Sequence, residues 1–96
     1  MEEIRKRLTQ EVDRAEWDWL KPHIARDNVV IVNQGLDLVE VGVAIASDQV
    51  PSVQRWISEQ LIVKPSKEQL EQWSKRDNLH FQALIVQPYV LVKEES

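Results

Sequence analysis

Three carboxylates, Asp37, Glu40 and Asp48, stand beside a dense apolar run in the stretch NQGLDLVEVGVAIASD, residues 33–48. Acids set against apolar surface are where pKa values shift and where acid–base catalysis or metal binding often follows. Read as a strand, residues 36–46 alternate their side chains, so Asp37 and Glu40 project to opposite faces with Cα atoms about 10 Å apart. On that reading they form neither a chelate nor an acid–base dyad. Asp37 fits the preceding turn, where an Asp bonds its own backbone, and Asp48 fits an N-cap before the next helix. Glu40 is the anomaly, a charge in mid-strand on a face shared with Leu38, Gly42 and Ala44. A lone carboxylate there calls for solvent, a salt-bridge partner or an interface.

The other reactive side chains offer less. His23 and His80 lie on different elements, and neither has a His, Cys or acid at metal-ligand spacing. No serine sits in a G-x-S-x-G or S-x-x-K context. Two glycines, Gly35 and Gly42, are too few and too far apart for a phosphate-cradling loop. No cysteine is present, so no disulfide, thiolate zinc site or thiol nucleophile exists. The sequence therefore names no catalytic residue, no metal ligand and no cofactor. Trp17 and Trp19 cannot both face inward on one helix, which leaves Trp19 near the surface as a contact candidate.

Elements that position these residues follow from periodicity. Ile4, Leu8, Val12 and Ala15 predict a helix over 2–15, and Trp17, Leu20 and Ile24 a second over 17–26. NVVIVN (28–33) and LDLVEVGVAIA (36–46) read as strands joined by an NQG hairpin turn, with Gly35 free to take positive φ. Val50, Val53, Trp56, Ile57 and Leu61 restart a helical period, with Pro51 in its first turn. Ser66-x-x-Gln69 is a capping box that opens a helix carrying Leu70 and Trp73, with Asp77-Asn78 as its stop. HFQALIVQPYVLVKE (80–94) reads as a last strand containing Tyr89, placed at an edge or kinked because Pro88 has no N–H to donate. The order is ααββααβ, an α+β domain with a small three-stranded, mainly antiparallel sheet in order 2-1-3 packed by helices. Both parities of the strands are apolar, so both faces must be covered, by the two helix pairs or by a second copy of the chain.

Ninety-six residues make one domain, 1–96, with one modest core. The net charge of −4 and the lack of a dense basic run disfavour nucleic acid. MEEIRKRL carries acids where a secretion signal is basic, and no segment approaches the ~20 apolar residues of a membrane span. The expectation is a soluble cytoplasmic protein with no membrane partner.

W-x-W-L at 17–20, L-D-L-V-E-V at 36–41, the tryptophans at 56 and 73, and P-Y-V-L-V-K-E at 88–94 together resemble a small bacterial family of domains of unknown function. The likeness covers nearly the whole chain, through the LDLVEV segment and the P-[WY]-V-L-V ending. It implies a single compact domain. That family carries no assigned activity, so it lends no site residue. The sequence thus points to a non-enzymatic accessory domain that contacts a protein partner or itself, as a homodimer. Its candidate contact or ligand residues are Trp19, Glu40, His80 and Tyr89. The alternative is a small-molecule-binding protein or minor enzyme with a cleft near Glu40 and His80.

Overall fold

Leu8 and Ala15, which share one stripe of a regular helix, are buried in the cores on opposite faces of the sheet. A straight helix over 2–15 cannot do that, so the helix stops early. The computed structural model describes residues 2–76 and 79–95. Here α1 spans Glu2–Glu11, and β1 (Asp13–Glu16) is an edge strand on which the chain passes from one face to the other. Then come α2 (Trp17–Ala25), β2 (Val29–Val32), α3 (Leu38–Ala46), α4 (Val50–Ser58), β3 (Ile62–Val63), α5 (Lys67–Lys75), β4 (His80–Val86) and β5 (Tyr89–Glu95).

The class is α+β, but the sequence-based order and strand count need correction. Among the described residues the sheet has five strands in the order β1-β4-β5-β2-β3. It is mixed: β2 runs parallel to β5, and the other pairs are antiparallel. The expected strand over 36–46 is α3. Short apolar runs fit either element, and the local chemistry decides here. The Asp37 carboxylate accepts from Val39 N–H at 2.9 Å and caps the helix. Gly35 does not take positive φ, and no hairpin forms. The Asn33 side chain accepts from Gly35 N–H at 2.9 Å and turns the chain into α3 instead.

The expected strand over 80–94 is a hairpin. The chain reverses at Gln87-Pro88, joined by a cis peptide, so that Val86 pairs with Tyr89. Pro88 therefore sits in the turn, where no ladder hydrogen bond is asked of it. The Ser66–Gln69 capping box is formed as expected. The proposed stop at Asp77-Asn78 lies outside the described residues.

Helices cover both faces, as two-sided apolar strands require. On one face Leu8 of α1 and Leu38, Val41 and Val43 of α3 pack on Val32, Leu84, Val86 and Leu91, with Val53 and Trp56 of α4 beside them. On the other, Leu20 of α2 and Trp73 of α5 pack on Val29, Phe81, Val90 and Val92. Trp73 meets Trp17 and Phe81 edge-on, at centroid distances of 6.0 and 4.9 Å. Gly42 lets α3 approach closely. A Cβ there would lie 2.7 Å from Leu84 Cδ2 and 3.3 Å from both Leu8 Cδ1 and Val86 Cγ2.

Candidate interaction surface

Helix α4 is amphipathic, yet none of its residues is fully buried. Val53 and Trp56 are half-buried against the core, while Val50 and Ile57, next on the same stripe, look outward. Pro51 begins the helix without losing a useful N–H. After its last turn Gln60 takes positive φ (60°), and Gln60 N–H and Leu61 N–H bond back to Ile57 and Trp56 carbonyls at 3.0 and 2.8 Å. That reversal sends the chain straight into β3 beside β2.

Between α4, β3 and the start of β5 lies a groove of about 630 Å3, with Ala44 and Ile45 of α3 and Val30 of β2 also lining it. Among the described residues, four of the six large apolar side chains that are exposed converge on it: Val50 (46%), Ile57 (56%), Val63 (38%) and Tyr89 (40%). Its polar lining is mostly amide, from Gln49, Gln54 and Gln60, with one acid, Asp48, and one base, Lys64. Lys64 is itself paired to Asp27 at 2.7 Å. Asp48 is not the N-cap the sequence led us to expect. It sits at positive φ (57°) in the α3–α4 turn, and Gln49 holds the N-cap position.

Two other recesses take up sequence candidates. Trp19 and Ile85, the remaining exposed large apolar side chains, share one of about 790 Å3 with Ala15 and Ala83, rimmed by Glu11, Asp13, Arg14 and Glu16. Trp19 also leans on His23, with ring centroids 4.6 Å apart. Strand parity puts Ile85 with Phe81 and Ala83, on the face of the sheet opposite to Tyr89. The third cavity, about 430 Å3, holds His80 with Glu16, Asp18, Lys21, Ser74 and Arg76. Glu16 is the register partner of His80 across β1 and β4. His80 Nδ1 is buried and has no hydrogen-bond partner among the described residues. Lys21 pairs with Asp18 at 3.2 Å, and Arg76 with Glu94. Among the described residues no three His, Asp or Glu side chains are placed to hold a metal ion.

A family model described as "Protein of unknown function (DUF2288)" matches residues 3–94. The chain belongs to this family. The DUF2288 chain is also similar to the NMR solution structure of PA1075 from Pseudomonas aeruginosa. The two are 29% identical with a TM-score of 0.82, over 100% of this chain and 88% of that one. No curated protein matches it.

In this DUF2288 fold the four sequence candidates do not meet. Tyr89 lines the groove, Trp19 the recess on the opposite face and His80 the charged cavity. Glu40 is not in mid-strand. It stands exposed in the first turn of α3 and lines none of the three recesses. Sequence reasoning missed Val50, Ile57 and Val63 as surface residues. The signal was present as an apolar stripe in α4, but a stripe looks the same whether its own core or a partner covers it. Among the described residues no helix is long and apolar enough to cross a membrane.

Proposed function

We propose that this chain is a non-enzymatic, cytoplasmic interaction domain that docks a protein through the α4–β3 groove. One observation carries the reading: Val50, Ile57, Val63 and Tyr89, from three separate elements, leave their apolar surface exposed around a single recess. Clustered exposure of this kind is how contact surfaces differ from the scattered apolar side chains of any surface. The sheet edges support docking by side chains over strand addition. Strand β1 carries Asp13, Arg14 and Glu16, and β3 is two residues long with Pro65 soon after it, devices that blunt an edge. Net charge of −4 supports a protein partner over nucleic acid.

The test is co-purification at native expression level with wild-type, Ile57→Asp and Ile85→Asp chains. We expect partners retained by wild type and by Ile85→Asp to be lost with Ile57→Asp. An identical set on all three chains would overturn the reading.

A second reading, binding of a small polar ligand, draws on the buried, unpartnered His80 Nδ1 beside Lys21, Arg76 and Ser74. A ligand there would shift the His80 ring resonances in an NMR screen of polar metabolites. Unmoved ring signals across the panel would remove this reading.

A further inference from the structure

We propose that the occupant of the α4–β3 groove is a second copy of this chain, held across a two-fold axis. This names the partner in the interaction reading above and rests on it.

Charge restricts which surface can meet itself. Two chains of net charge −4 repel, so self-contact requires a face with little charge. Charged residues make up 29% of the chain but two of the fourteen that line the groove, Asp48 and Lys64, and these two are of opposite sign. Three glutamines, Gln49, Gln54 and Gln60, supply the rest of its polar lining. Amide groups donate and accept alike, so they can meet their own copies without repulsion. The Trp19–Ile85 recess, with three acids against one base on its rim, would repel its own copy.

Shape gives the symmetry. Among the described residues Ile57 is the most exposed large apolar side chain, and it stands on α4 beside the recess it helps to line. Ridge and recess on one patch allow each copy to seat Ile57 in the other's groove, an isologous contact that closes at two. Seating Ile57 in the Trp19 recess of the opposite face would be head-to-tail and would not close at two copies.

The experiment is light scattering on a sizing column with the full chain at about 100 μM, well above a ~1 μM Kd. Wild type is expected at twice 11.2 kDa. Ile57→Asp, which puts two like charges at the centre of the contact, weakens the dimer by about a thousandfold, into the millimolar range, and elutes as a monomer with an unchanged circular dichroism spectrum. Val50→Glu is a second probe, because an acid is welcome in the first turn of a helix, and it too is expected to give a monomer. Ile85→Asp stays dimeric. A monomeric wild type overturns the second-copy proposal. The interaction reading then still stands if Ile57→Asp loses partners in the co-purification. A dimer that survives both groove substitutions, or that Ile85→Asp breaks, overturns the proposal as well.

Discussion

At position 42 the side chain is a single hydrogen because Leu84, Leu8 and Val86 leave no room for more. Gly42→Val should gain a little in helix propensity and lose far more by forcing α3 off β4. We expect a net loss of about 1–3 kcal/mol, a fall of roughly 4–8 °C in Tm for each kcal/mol. An unchanged Tm would show that α3 is not tightly seated. Asp37→Ala removes the oxygen that holds Val39 N–H and should cost about 1 kcal/mol in a urea titration. Single residues were the hardest scale to read in advance. Parity correctly separated Asp37 from Glu40 for a strand, but the chain is a helix there, and Asp37-x-x-Glu40 ahead of an apolar run was an N-terminal signal in its own right. His80 was readable as a residue, while Glu16, Lys21 and Arg76 around it are neighbours only through pairing of distant segments, which no local spacing encodes.

Among elements, α2, α3 and α4 end alike. Asp27, Asp48 and Gln60 take positive φ just past their last turns, and each helix end closes with paired back-bonds. Asn28, Gln49 and Leu61 N–H groups reach His23, Ala44 and Trp56 carbonyls at 3.2, 2.8 and 2.8 Å. That geometry suits glycine, and a side chain in the left-handed region costs about 1–2 kcal/mol. Gln60→Gly should therefore raise stability by about 0.5–1 kcal/mol after the extra chain entropy of glycine is subtracted; a loss measured by denaturant titration would contradict the strain. Ser66→Ala breaks a formed capping box and should cost about 1 kcal/mol. Elements with strong local signals, the Ser66 cap above all, were legible from sequence. Those decided by tertiary packing were not: β1 is a strand because it pairs with β4, and nothing in Asp13–Glu16 announces it. Pro88 was read correctly as unable to donate, but a tight reversal satisfied it as well as an edge or a kink.

For the whole molecule, the two-faced apolar sheet implied two covering layers, and α1, α3 and α4 on one side with α2 and α5 on the other supply them. What is left over is the half-covered stripe of α4 and the groove beside it. Dimerisation through that groove couples to folding by mass action. Wild-type Tm should rise with protein concentration, and Ile57→Asp should abolish the dependence. The most direct measurement is a set of intermolecular NOEs on a sample that mixes labelled and unlabelled full chains. The account predicts contacts between copies among Val50, Ile57, Val63 and Tyr89, and none at Trp19 or Ile85. No contact between copies, or contacts confined to Trp19 and Ile85, would contradict it.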